Sequence, residues 1–255
     1  AEVEGGIILF TDARQAWEPD AARRLVENFA DPSVGAVSGE LLLRRSGEET
    51  GASIGLYWRY EKLIRRAESD IDSTLGVTGA IYAARRELIE PIPEDTLLDD
   101  IEIPLQSFRR GLRVVFEPAA RAWDDPAAAI EHEFRRKVRT LAGNFQLFAR
   151  NGWLLDPRRN RIFPQAVSHK LFRLLVPWAL LVLLLSTARL HGTWPRLFLL
   201  VQAACWAGGA LAAALPGLRR GRILSLLSVF VTLNAAAVAG LFRWAAGRTD
   251  ARWKR

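Results

Sequence analysis

Cysteine occurs once in these 255 residues and methionine not at all. The lone Cys205 excludes a disulfide within the chain and any metal site built from clustered thiolates. The first six residues are acidic and lack the basic and apolar pattern of a secretory leader. With no methionine ahead of Ala1 and a strand-like run only a few residues on, an amino-terminal portion is expected upstream.

Charge is missing from three long stretches. Leu174–Leu190, Leu197–Leu215 and Ile223–Phe242 carry no charged side chain except Arg189, near the end of the first, where an arginine can snorkel to an interface. Each runs roughly 17 to 20 residues, enough at about 1.5 Å per residue to cross about 30 Å of hydrocarbon. Three membrane spans are therefore expected.

The net charge of +7 is distributed around those stretches. Arg158, Arg159, Arg161, Lys170 and Arg173 precede the first, Arg219, Arg220 and Arg222 separate the second from the third, and Arg243 to Arg255 form a basic tail. Cations that flank apolar spans suit anionic lipid headgroups, so a lipid bilayer is the expected partner and nucleic acid is not. An odd number of spans puts the tail across the membrane from the globular part, against the usual placement of lysine and arginine.

What remains before residue 173 alternates strand and helix patterns, an α/β layered arrangement. Ile7–Arg14, IILFTDAR, reads as a buried strand with Asp12 at its carboxyl end, where open α/β sheets bind ligands. Asp12 is thus placed to hold a metal ion or to cap the following turn. A helix start is read at Trp17–Asp20, with Pro19 in the first turn and Leu25, Val26 and Phe29 on one face. Val34–Leu43 reads as a strand with Gly39 as a bulge, and Val114–Phe116 as another that ends at Glu117-Pro118. Ile54–Ile71 reads as a helix with Leu56, Tyr60, Leu63, Ile64 and Ala67 on its core side and Arg59, Glu61, Lys62, Arg65 and Arg66 on the rest.

Asp99, Asp100 and Glu102 place three carboxylates within four residues at a helix start. The helix dipole and capping account for one of them; three repel one another, which raises pKa values and marks a candidate for general-base or metal chemistry. From Glu131 a basic amphipathic helix carries Phe134, Val138, Leu141, Phe145 and Phe148 on one stripe, suited to a membrane interface or to packing on the globular part.

In this order, IILFTDAR, GVTGAIYAARREL, TLLDDIEIPL and EFRRKVRTLAGN followed by apolar spans resemble the second half of a membrane-integrated family 2 glycosyltransferase of the GT-A fold. The resemblance implies a partial GT-A domain over residues 1–130, an amphipathic interfacial region over 131–173, a transmembrane region over 174–242 and a basic tail over 243–255. It also implies that the first strands of the GT-A domain precede this chain. Asp12 would be the leading aspartate of a DxD motif holding Mn²⁺ or Mg²⁺ on a nucleotide diphosphate, with Arg14 in place of the last aspartate. Asp100 would be the base of a TED-type motif, with Asp99 in place of the glutamate. Asp99, Gly79, Arg136 and Arg139 would contact substrate, the two arginines lying where processive members carry QxxRW. The activity implied is inverting transfer of a sugar from a nucleotide-sugar donor to a glycan or lipid-linked acceptor, by a multi-pass cell-membrane protein with its catalytic part on the cytoplasmic side. The residues alone also admit a metal-dependent phosphoryl-handling enzyme or a non-catalytic membrane-anchored remnant.

Overall fold

The computed structural model describes residues 5–43, 52–124 and 130–247, so most of the expected basic tail lies outside the described residues. Five strands form one mixed sheet: β1 (Ile7–Thr11), β2 (Ala16–Trp17), β3 (Val34–Leu43), β4 (Ile81–Arg85) and β5 (Arg113–Asp124), in the spatial order β1-β4-β3-β5-β2. β4 runs antiparallel to both β1 and β3, while β3 and β5 are parallel. The long apolar β3 therefore lies in the middle, paired on both sides.

The IILF run forms strand β1, as its composition suggests. β1 pairs only with β4, at the sheet edge, and Leu9 is 42% exposed. The bulge at Gly39 is present: the β3–β5 register shifts between Ser38 and Glu40, and a Cβ on Gly39 would lie 2.7 Å from the Ala120 carbonyl oxygen. On the facing strand the chain runs on through Pro118, which sits in the irregular stretch between Phe116 and Arg121, where no ladder donor is required.

Helix α1 (Ala21–Glu27) begins after Asp20, so Pro19 lies before the helix and not in its first turn. Leu25 and the following Phe29 are buried against the sheet, whereas Val26, one residue round the helix, is exposed. In helix α2 (Ala52–Ile71) the face is reversed over residues 60–71 relative to the sequence expectation, and the expected positions Leu56 and Arg59 lie outside the described side chains. Tyr60 is 58% and Leu63 66% exposed, while Glu68 and Ser69 are buried. Its polar face has specific inward partners, described below, and these outweigh the apolar pattern.

Helix α3 (Asp99–Arg109) follows the loop after β4, and helix α4 (Ile130–Arg150) follows β5. The α4 stripe is occupied by protein: Val138, Leu141, Leu147 and Phe148 join Leu97, Leu98, Ile101, Ala236 and Ala237 in one core cluster, and Phe145 stacks on Trp244 at 6.0 Å between ring centroids. A short turn α5 (Phe163–Gln165) leads through a π-helical segment, Ala166–Leu171, into α6 (Phe172–Arg189), followed by α7 (Thr193–Ala214) and α8 (Arg222–Ala245). The helical runs Phe163–Arg189, Thr193–Ala214 and Arg222–Ala245 are each long and apolar enough to cross a membrane. Their mostly outward-facing leucine, valine and phenylalanine side chains suit lipid better than water.

Candidate active site

The loop before β4 and the start of α3 are built to touch. A Cβ on Gly76 would lie 2.8 Å from Ile101, and one on Gly79 would lie 3.4 Å from the Cβ of Asp100, so the absence of side chains lets the loop pass over the carboxylate. The Val77 amide donates to the Asp100 carbonyl at 3.0 Å. On the other side Ala80 accepts a hydrogen bond from the Trp17 indole at 3.1 Å, and Ile81 pairs with Thr11, next to Asp12. Asp12, Gly79 and Asp100 therefore converge at one end of the sheet. Replacing Gly79 with valine is expected to cover Asp100 and lower turnover at least tenfold with little change in thermal stability, checked by activity and unfolding measurements on one preparation.

The acidic cluster divides in two. Glu102 faces away and accepts from the Asn151 amide at 3.0 Å, beside Arg109, which makes it structural. Asp99 and Asp100 face the site. The Asp100 carboxyl is raised from its ordinary 3.8 to about 6, chiefly by burial and then by Asp99, with Lys170, Arg65 and Arg139 opposing. Tyr82, also facing the pair, is pushed upward by burial and by both aspartates. Arg139 of α4 is pulled downward by burial while Asp99 and Asp100 hold it charged. Arg136 stands one turn earlier on α4, half-buried.

Two further cations escape the motif reading. Arg65, assigned by periodicity to a solvated face of α2, donates to the Thr78 hydroxyl at 2.5 Å, and the Thr78 amide donates to the buried Ser38 hydroxyl at 2.9 Å. Lys170, counted as a flanking lysine of the first span, lies among Arg173, Arg65, Glu61 and Asp100. Both look like ordinary solvent-facing or lipid-facing charges in sequence, because the contacts that employ them come from distant segments.

At the edge of the site, Asp12 closes its turn through its main-chain carbonyl, which accepts from the Gln15 amide at 3.4 Å, so its exposed carboxylate is left for other work. Arg14, two residues on, pairs with Asp124 at 3.2 Å. Among the described residues no three carboxylate, histidine or cysteine side chains cluster to make a metal cage. Asp12 is the exposed carboxylate at this edge that could supply one ligand to a divalent ion.

Comparisons with known proteins bear on the fold and the family. The structure superposes on a mannosyltransferase from Pyrobaculum calidifontis, solved in complex with GDP-Man and Mn²⁺, with a TM-score of 0.67 and 23% identity over 96% of this chain and 64% of that one. That likeness establishes the GT-A fold. Poly-beta-1,6-N-acetyl-D-glucosamine synthases of Staphylococcus aureus, for example those of strains COL and N315, are 21% identical over 182 residues, 69% of this chain and 44% of theirs. The chain thus spans less than half the length of these curated relatives. The family described as "Glycosyl transferase family group 2" matches residues 7–242, nearly the whole of the described fold, and the chain belongs to that family.

Proposed function

We propose that this chain carries the acceptor side of a membrane glycosyltransferase that moves a sugar from a nucleotide diphosphate to an acceptor hydroxyl with inversion. The observation that carries the proposal is Asp100: a half-buried carboxyl at the start of α3, raised to about 6, open to the site beside a glycine and ringed by cations. A base poised near neutral pH beside the reacting oxygen is what proton abstraction from a hydroxyl needs.

In this reading Asp100 takes the acceptor proton as the acceptor oxygen attacks the anomeric carbon from the face opposite the departing diphosphate. Arg139, Arg65 and Lys170 give the site the positive potential that holds a diphosphate. Asp99, beside the base, and Gly79, above it, shape the acceptor pocket, and Arg136 extends the cationic face of α4. Mn²⁺ or Mg²⁺, when bound at Asp12, would neutralise the charge that develops on the leaving group. Donor sugars on UDP or GDP and a glycan or lipid-linked acceptor are the proposed partners. The three apolar helices are proposed to embed the chain as a multi-pass cell-membrane protein with its catalytic part on the cytoplasmic side. The boundaries at residues 130, 173 and 242 belong to the same proposal.

Two measurements test it. The anomeric configuration of the first product, read by NMR from the full-length protein supplied with UDP- and GDP-sugars, is expected to be inverted; retention contradicts the mechanism. The rate is expected to fall as pH drops through about 6, because Asp100 gains its proton there and can no longer accept one. A rate that stays flat down to about pH 4.5 contradicts the assignment.

A further inference from the structure

Both ends of the apolar region are fastened to the globular part. At its head, His169 places one ring nitrogen 2.9 Å from a Glu68 carboxylate oxygen and the other 2.9 Å from Glu61, and Arg173 donates to the second Glu61 oxygen at 2.7 Å. All three contacts reach α2, and Leu174, one residue on, is buried in the core cluster that holds Leu97, Leu98 and Ile101. α6 therefore sets out from the globular side. At the other end, Ala236 and Ala237 of α8 lie in the same cluster, and Trp244, one residue before the helix stops, stacks on Phe145. Phe145 sits level with the loop before α3, because its neighbour Gln146 accepts from the Leu97 amide at 3.0 Å and donates to the Asp95 carbonyl at 2.9 Å. Gly240 lets α8 close on the backbone of α4, where a Cβ would lie 2.9 Å from the Ala142 nitrogen. α8 therefore ends on the globular side too.

A chain that leaves one face of a bilayer and comes back to it crosses an even number of times. Length and apolarity permit each of the three helices to cross, yet the placement of the two ends allows only two of them to do so. Charge selects the pair. Arg219 and Arg220 lie in the turn between α7 and α8, with Arg222 at the head of α8, and arginines in short loops collect on the cytoplasmic side, the side proposed for the globular part. That placement brings α7 back across and leaves α8 along α4. Packing fits the same arrangement: side chains on Gly208 and Gly209, near the end of α7, would meet Leu224, Leu227 and Val231 of α8. In the first half of α7, Trp194 is 80% and Leu200 67% exposed, while the second half of α8 is occupied by α4. The two helices thus cross near one end instead of pairing along their length.

We propose that the chain crosses the bilayer twice, through α6 and α7, and that α8 and the basic tail after it stay on the face of the membrane that carries the active site. Arg248, Arg252, Lys254 and Arg255 of the tail then meet the same anionic headgroups as Arg219, Arg220 and Arg222. Three crossings would send those cations to the opposite face, against the usual placement of lysine and arginine; two crossings remove the conflict. The inference rests on the chain being embedded in a bilayer, as proposed above.

The test is labelling of single cysteines by a membrane-impermeant maleimide, on the full-length protein in sealed right-side-out and inverted membrane vesicles. The background is Cys205→Ser, which removes the one cysteine of this chain. Glu94→Cys reports the globular part, His191→Cys the turn between α6 and α7, Gly217→Cys the turn between α7 and α8, and Ala251→Cys the tail. Glu94, His191 and Gly217 are exposed, and a side chain on Gly217 meets open space. Detergent-solubilised samples give the full signal for each. Residues 94, 217 and 251 are expected to take label in one vesicle orientation and residue 191 in the other. Label at 251 in the orientation that labels 191 overturns the proposal, because it requires an odd number of crossings. Label at 217 in that orientation overturns it as well, because α7 would then not cross. Label at 94 and 191 in the same orientation sinks instead the embedded reading on which the proposal rests.

Discussion

Asp100→Asn is expected to lower sugar transfer by the full-length protein by about 10²- to 10⁴-fold, the range by which a positioned general base contributes, while nucleotide affinity stays within a few-fold. Asparagine keeps the shape of the side chain and cannot take a proton. The same substitution is expected to stabilise the fold at neutral pH. The Asp100 carboxyl is raised to about 6 in the folded protein against 3.8 for an unperturbed aspartate, so ionising it costs the folded state more than the unfolded chain. That cost is absent below about pH 4, grows between about 4 and 6, and is fully present above about 6. At about 1.4 kcal/mol per unit it is on the order of 2–3 kcal/mol. Thermal unfolding of wild type and variant at about pH 8 and about pH 4.5 checks the sign: the variant melts higher at the alkaline pH, and the gap narrows at the acidic one. A group that weakens the fold where it is needed is expected of a site selected for chemistry.

Gly240→Leu is expected to disrupt the packing of the apolar helices on the globular part strongly. A Cβ on Gly240 of α8 would lie 2.9 Å from the backbone nitrogen of Ala142 and 3.1 Å from the Cβ of Leu141, both on α4. Backbone cannot step aside as a side-chain tip can, so the two helices must separate, at the upper end of the roughly 1–3 kcal/mol typical of overpacking or beyond it. Arg139 lies one turn before Ala142, so separation withdraws this cation from the aspartate pair as well as lowering the melting temperature. Gly208→Ala is the control. Its Cβ would meet only leucine side-chain tips, the nearer being Leu224 at 3.6 Å, and a change within about 0.5 kcal/mol is expected.

The path from sequence to site was clearest where a residue acts through its local frame. The charge-free stretches mark α6, α7 and α8 because length and apolarity are sufficient for that reading. The Gly39 bulge and the glycine-punctuated turn before β4 were legible because a missing side chain marks close approach. Asp99 and Asp100 stood out because like charges at one helix start demand a reason.

What stayed hidden depends on partners far away in the chain. The partner of the Ile7–Thr11 run is the distant β4, which no local pattern names. α2 shows the limit of periodicity most plainly. Its apolar stripe predicts one orientation, and Glu61, Arg65 and Glu68 impose the other by meeting His169, Arg173 and Thr78. No count of hydrophobic spacing reveals that a histidine at position 169 clasps a glutamate 101 residues earlier. Lys170 was legible as a cation, and the hold that its own segment takes on α2 was not, for the same reason.

Nucleotide binding by the full-length protein in detergent is the measurement that most directly tests the reading of this site. UDP, GDP and their sugar derivatives are titrated with Mn²⁺ against wild type and Asp12→Asn. Saturable binding of one nucleotide class, weakened at least tenfold in Asp12→Asn and by removal of Mn²⁺, is the expected result. No binding by protein shown to be folded would contradict a donor site at this end of the sheet, and binding indifferent to Asp12 would contradict the place assigned to the diphosphate and its metal.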